Sequence, residues 1–263
     1  MRKTKILILG GSHTHSLQTA LANRKGDEET AAEFEIHWLL GKKGERKRGD
    51  LALSDAFEKA SKLHSSDLVA LSILGNEHNG FGLLQAEQPF DFVLTPRDVC
   101  ESSDGVTLVP HSAMRESYER FMERNGSIRR IRQAAPCAVY HLSTPPPKGD
   151  NNFLIERTRR YREQLIAEIG ISSPKLRLKL WDLEMRVLRV MCESWGVSFV
   201  FAPDEARSVE GFLKPEYYAN DATHANAAYG ELVLRQLERI ASKGGASQSA
   251  FEHVRSSLQA SSG

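Results

Sequence analysis

The chain has few cysteines, no excess of charge and no long apolar run, and each of these excludes something. Cys100, Cys137 and Cys192 are its three cysteines, an odd number, widely spaced and without a CxxC pair. Neither a disulfide framework nor a structural zinc site fits that pattern. Cys137 and Cys192 lie in apolar stretches and read as buried fillers, whereas Cys100 lies in a polar loop. Lysine and arginine total 35 against 34 acidic residues, for a formal net charge of +1. Such balance gives no general attraction to nucleic acid or to a membrane surface. No stretch approaches the roughly 18 apolar residues of a membrane helix. The first apolar run spans only about four residues, well short of the roughly 7–15 of a signal-peptide core. A cytoplasmic, soluble protein is the expectation. G-x-G-x-x-G and the Walker lysine-serine pair are also missing, which argues against a nucleotide enzyme.

What remains is a 263-residue chain, long enough for a sizeable core, in which strand-like runs alternate with helical patterns. Ile6 to Leu9 is apolar without alternation, as befits a parallel strand buried on both faces. It ends in Gly10-Gly11-Ser12-His13. Further strands are predicted at 36–40, 67–74, 90–94, 138–142 and 197–201. Helices are predicted from Ser16, over 53–63 and 114–122, along Leu154, Tyr161, Leu165 and Ile169, from Ser173-Pro174 to Trp195, and from Ala225 onward. Lys25 to Glu29 and the basic run from Gly41 to Arg48 read as solvated loops. Ser143-Thr144-Pro145-Pro146-Pro147 reads as a stiff loop, since proline cannot continue a sheet ladder. This alternation predicts a doubly wound parallel sheet in one α/β domain. The domain would span residues 1–242, with a variable insertion at 80–110 and a polar C-terminal tail at 243–263.

Polar residues follow several strands on their carboxyl side, where open α/β sheets bind ligands. Ser12 follows the first strand, Gly49-Asp50 the second and its basic loop, and Gly75-Asn76-Glu77-His78 the third. Asp221 and His224 precede the last helix. A serine hydroxyl becomes a nucleophile when a base takes its proton. His224 could be that base, and Asp221, three residues earlier, could hold its tautomer. Backbone N–H groups of Ser12 and Gly49, with the Asn76 amide, could surround an oxyanion. Each residue also has a simpler reading. Ser12 could cap a helix or contact a phosphate, Asp221 or Thr223 could cap the last helix, and Asn76 could serve a turn. His13, His15 and His78 admit a metal reading, although His-x-His with one distant histidine is a thin ligand set.

Together these blocks resemble the SGNH hydrolases, or GDSL esterases. Gly10-Gly11-Ser12-His13 is similar to the first block, with Ser12 at the nucleophile's place. Arg48-Gly49-Asp50 is similar to the second, although Gly41 or Gly44 could serve instead. Gly75-Asn76-Glu77-His78 is similar to the third, and Asp221-Ala222-Thr223-His224 to the fifth, Asp-x-x-His. Two departures stand out. Gly11 replaces the family's aspartate, and the third block runs Gly-Asn without the intervening residue. The resemblance implies a flavodoxin-like three-layer α/β/α sandwich and a serine esterase that needs no metal or other cofactor. Its implied triad is Ser12, His224 and Asp221. Its implied oxyanion donors are Ser12, Gly49 and Asn76, and His13, Gly75 and His78 would line the substrate, a small-molecule or carbohydrate ester. An acyltransferase with the same triad and a non-catalytic binding protein are the alternatives.

Overall fold

The structure is a computed structural model that describes residues 2–24, 32–43, 46–95, 105–157, 160–161 and 164–260. Lys25 to Glu29, Cys100 and the alternative glycine Gly44 lie outside the described residues. Five strands form one parallel sheet: β1 (Thr4–Gly10), β2 (Ala32–Trp38), β3 (Leu68–Ser72), β4 (Ala138–Leu142) and β5 (Ser198–Val200). Their spatial order is β2-β1-β3-β4-β5, with β1 paired to β2 and β3 in parallel. This is the flavodoxin-like order, whose topological switch point lies between β1 and β3. Both flanking loops there, after Gly10 and after Ser72, carry residues singled out from the sequence.

The apolar runs are buried on two faces, as their lack of alternation implies. Leu7, Leu9, Val69, Leu71 and Val139 face one core layer, with α2 (Leu53–Ser61), α4 (His111–Glu123), α5 (Ser127–Ala134) and α8 (Pro174–Ser194). Ile6, Ile8, Ala70 and Leu142 face the other, with α1 (Thr14–Asn23) and α9 (Ala227–Ala260). The result is a three-layer α/β/α sandwich. Helices α1 and α9 approach so closely that a Cβ on Gly230 would lie 2.2 Å from the Ser16 carbonyl oxygen. Arg24, at the end of α1, reaches Glu231 at 3.0 Å and Glu238 at 2.8 Å on α9. The segment that carries Asp221 and His224 is thereby fixed beside the loop that carries Ser12.

Several boundaries differ from the expectation. β2 begins at Ala32 rather than Ile36. The basic run forms a small antiparallel pair, Gly41–Lys43 with Arg46–Arg48. The strand expected over 90–94 shrinks to Phe90–Asp91, paired with Thr107–Leu108. Phe92 beside it is fully buried, so this part of the presumed insertion is built into the core. The single helix expected along 154–169 is broken into α6 (Asn151–Arg157) and α7 (Ile166–Ile169), with a short antiparallel pair between them. Among the residues whose burial is described there, Leu154 and Ile166 are the buried ones, few apolar positions to seat one long helix. Helix α5 was not anticipated, although buried Ile128 and Ile131 stand at helical spacing. The backbone of residues 243–260, the stretch expected as a polar tail, continues α9. Apart from Gly244 and Gly245 this stretch has many good helix formers, which outweigh the glycine signal. No helix among the described residues is long and apolar enough to cross a membrane.

Candidate active site

Glycine at position 10 lets the ends of β1 and β3 meet. A Cβ there would lie 2.5 Å from the Ser72 carbonyl oxygen, a backbone atom that cannot swing away. Gly11 then donates its N–H to that same oxygen at 2.9 Å. Ser12 and His13 make the turn into α1. The Thr14 hydroxyl closes it on the Gly11 carbonyl at 2.7 Å, and Ser16 Oγ donates to the His13 carbonyl at 2.9 Å. Among the described residues the Ser12 N–H has no hydrogen-bond acceptor. It is one of the orphan donors of a helix start.

Two hundred residues later the chain returns in a tight reversal from Tyr218 to Ala225, which are bridged antiparallel. Asp221 organises this reversal. Its Oδ1 accepts the N–H groups of Thr223 at 2.9 Å and His224 at 2.8 Å. Its Oδ2 stands 2.8 Å from His224 Nδ1, and His224 Nε2 stands 2.7 Å from Ser12 Oγ. Burial alone would raise the Asp221 carboxyl. The imidazole and the two backbone donors outweigh it and hold the group well below the usual carboxylate range. An ionised Asp221 keeps the Nδ1 proton of His224 in place and leaves Nε2 free to accept from the serine. Ser12, His224 and Asp221 therefore stand in one hydrogen-bonded line.

The loop after β3 supplies the other side. Gly75 takes φ +100°, and Thr144 Oγ1 holds its carbonyl at 2.6 Å. Asn76 follows at the start of α3 (Glu77–Gly82). Its Oδ1 accepts from Asn79 Nδ2 at 2.8 Å and faces His13 Nε2 at 3.4 Å. With the oxygen engaged twice, the Asn76 NH2 is the end left to a ligand. The His13 and His224 rings lie 4.9 Å apart. Burial first, then the neighbouring imidazole, push His13 down to about 3, so that it stays neutral beside His224.

Other expected positions fall elsewhere. His78 is 3% exposed and bonded to Glu184 and Asn79, so it supports the site from below instead of lining the substrate. Gly75 is likewise a buried turn residue; a Cβ on it would point at Met185, Leu188 and Thr144. The cause in both cases is the same: the residues after Gly75 turn into a helix whose inner face packs on α8. Gly49 lies at the carboxyl end of β2 with φ +105°, in a turn packed against the carbonyls of Trp38 and Leu39. Leu39 donates its N–H to the Gly10 carbonyl at 2.8 Å, so this turn adjoins the strand end that carries Ser12. No group of three or more His, Cys, Asp or Glu residues among the described residues is placed to hold a metal ion.

Three residues of the site were not singled out from the sequence. Lys148, buried after the triproline loop, extends its Nζ to the Ala219 carbonyl at 2.6 Å and to the Asp221 carbonyl. Its ammonium lies 4.9 Å from the Phe153 ring and 5.0 Å from the Tyr218 ring. Burial lowers it to about 8, against the pull of Asp221. Asn79 and Glu184 stand behind Asn76. A signal for Glu184 existed: it lies four residues after Leu180 and three before Val187, on the apolar face of α8.

No protein-family model and no curated protein sequence matches the chain. Solved structures similar to it include an extracellular lipase from Streptomyces rimosus, at 15% identity over 89% of this chain and 99% of that one, with a TM-score of 0.45. A carbohydrate acetylesterase from Sinorhizobium meliloti is similar at 13% identity over 93% and 99% of the two chains, with a TM-score of 0.44. A GDSL-like lipase from Bacteroides thetaiotaomicron is similar at 11% identity over 91% and 88%, with a TM-score of 0.43.

Proposed function

We propose that the protein is an ester hydrolase of the SGNH type that works through an acyl-serine intermediate. The observation that carries this reading is the line from Ser12 Oγ to His224 Nε2 at 2.7 Å and from His224 Nδ1 to Asp221 Oδ2 at 2.8 Å. Ser12 Oγ attacks the ester carbonyl while its proton passes to His224 Nε2. Asp221 keeps the imidazole oriented and stabilises the imidazolium that forms. The carbonyl oxygen, now negative, is met by the Asn76 NH2 and the Ser12 N–H, with the Gly49 N–H as the third donor. Each such donor is typically worth about 3–4 kcal/mol in the transition state. Collapse of the tetrahedral adduct expels the alcohol, which takes the proton from His224. Water then attacks the acyl-serine, with His224 again the base, and the acid leaves.

Gly11 at the place of the family's aspartate leaves this chemistry intact, because the turn is closed by the Gly11 N–H on Ser72 and the Thr14 hydroxyl on Gly11. The substrate is an ester with a short acyl group on a small molecule or carbohydrate. The test is hydrolysis of p-nitrophenyl acetate by wild type beside Ser12→Ala, with mass spectrometry after treatment with a fluorophosphonate. A single adduct on Ser12 and loss of turnover in the variant are expected. Equal turnover by the two proteins would refute the nucleophile. Faster product formation on adding an alcohol acceptor, with acyl transfer to it, would replace hydrolase by acyltransferase.

A further inference from the structure

A serine hydrolase needs its oxyanion donor facing the right way, and an asparagine amide can flip. In this chain the orientation of Asn76 is tied to a buried file of polar groups that ends on another element. Glu184, on α8, is fully buried. Its Oε1 accepts the Glu77 N–H at 3.0 Å and its Oε2 the His78 N–H at 2.9 Å. Oε2 also stands 2.7 Å from His78 Nδ1. His78 Nε2 is 2.8 Å from Asn79 Nδ2, and Asn79 Nδ2 is 2.8 Å from Asn76 Oδ1.

With a singly protonated His78 ring, donors and acceptors allow one consistent assignment along this file. A carboxylate only accepts, so His78 carries its proton on Nδ1 and Nε2 becomes an acceptor. The two hydrogens of Asn79 Nδ2 then go one to His78 Nε2 and one to Asn76 Oδ1. The Asn76 oxygen is drawn inward and its NH2 is turned outward. A flip of Asn79 would set its oxygen against two acceptors, and a flip of Asn76 would set NH2 against NH2. Buried polar groups left unpaired are costly, which is why one satisfied network can fix a single orientation.

We infer that Glu184, His78 and Asn79 are positioning residues for the oxyanion donor Asn76, acting through that side chain and not on the substrate itself. The inference rests on the esterase reading above. It assigns a reason for a carboxylate on the apolar face of α8 that packing alone does not need.

The test is a double-mutant cycle on p-nitrophenyl acetate with Glu184→Gln, Asn76→Ala and the pair. Glutamine offers one oxygen where three N–H donors converge, so the file loses its fixed sense. Removing an oxyanion donor costs about 100-fold to 1,000-fold in kcat. Glu184→Gln is expected to cost part of that, about 10-fold to 100-fold, with KM changed by less than about 3-fold. In the Asn76→Ala background the same change is expected to cost less than about 3-fold, because the residue it acts through is gone. An equal factor in both backgrounds would overturn the proposal and leave Glu184 a fold-stabilising residue. If Glu184→Gln does not fold, Asn79→Leu, which removes the donor next to Asn76, takes its place in the cycle with the same two outcomes. A wild type inert toward both the ester and the fluorophosphonate would instead refute the esterase reading, and this proposal with it.

Discussion

The two sides of the site are held by different means. The side proposed for proton transfer uses local devices. Ser12 is presented by a strand end, two glycines and a turn, and Asp221 and His224 stand three residues apart in one reversal. The side proposed to bind the oxyanion depends on distant partners. Asn76 is held through Asn79 and His78 by Glu184, which lies 106 residues beyond His78. Local devices leave short motifs in a sequence, whereas a buried file of side chains from two elements does not.

The largest effect is expected on the local side. Asp221→Asn should keep the geometry but present the wrong tautomer of His224, lowering kcat by about 10,000-fold with little change in KM. Steady-state kinetics on a short ester would show it. A loss as small as that of Glu184→Gln would erase the distinction between the two sides.

Acidification separates the site from the core. His141, in β4, is fully buried, and among the described residues neither ring nitrogen meets a partner at hydrogen-bond geometry. Burial lowers it to about 4, and His13 in the site lies at about 3. Both stay neutral when folded, while the unfolded chain takes up a proton on each below about 6.5. Stability is therefore full above that pH and falls as the pH drops towards 4. A shift of this size for His141 corresponds to roughly 3 kcal/mol. Denaturant titrations from pH 7 to 4 should show the loss. His141→Leu should remove the core's share and leave the part due to His13. No difference between the two proteins' pH slopes would refute the assignment to His141.

The same division governs what was legible. The strands of the sheet were legible as apolar runs without alternation, and both glycine-rich turns at its switch point stood out; the flavodoxin-like arrangement came only from the family resemblance. Ser12, Asp221 and His224 were legible because each sits in a short block with a recognisable spacing. Asn76 was legible as a type, but its orientation was not. His78 was misplaced towards the substrate because a histidine in a polar loop gives no sign of the carboxylate it meets on α8. Lys148 escaped notice because its partners are main-chain carbonyls of residues 219 and 221, which carry no sequence signature.

Lys148→Met sharpens the local side. Methionine fills the space between Phe153 and Tyr218 but leaves two carbonyls of the reversal without their donor. Unsatisfied buried groups cost about 1–3 kcal/mol, so thermal or denaturant unfolding should show a loss of that order. The kcat should fall as the Asp221 reversal loosens. Unchanged stability would mean that Asp221 and its neighbours hold the reversal unaided.

The smallest effect concerns the turn beneath Asn76. Gly75 takes φ +100°, a region that costs an L-residue about 1–2 kcal/mol. A Cβ there would meet Met185 Cε at 3.1 Å, Leu188 Cδ2 at 3.2 Å and Thr144 Cγ2 at 3.3 Å. The methionine and leucine ends are flexible and can yield by a few tenths of an ångström. Thr144 cannot yield as freely, because its hydroxyl holds the Gly75 carbonyl. Gly75→Ala is therefore expected to lower stability by about 1–2 kcal/mol, chiefly through backbone strain. Its effect on kcat should be small, because the file from Glu184 to Asn76 enters α3 after this turn and keeps its own hydrogen bonds. A loss of kcat as large as that of Asn76→Ala, at unchanged folding, would shift the control of the oxyanion donor from the buried side chains to the backbone turn.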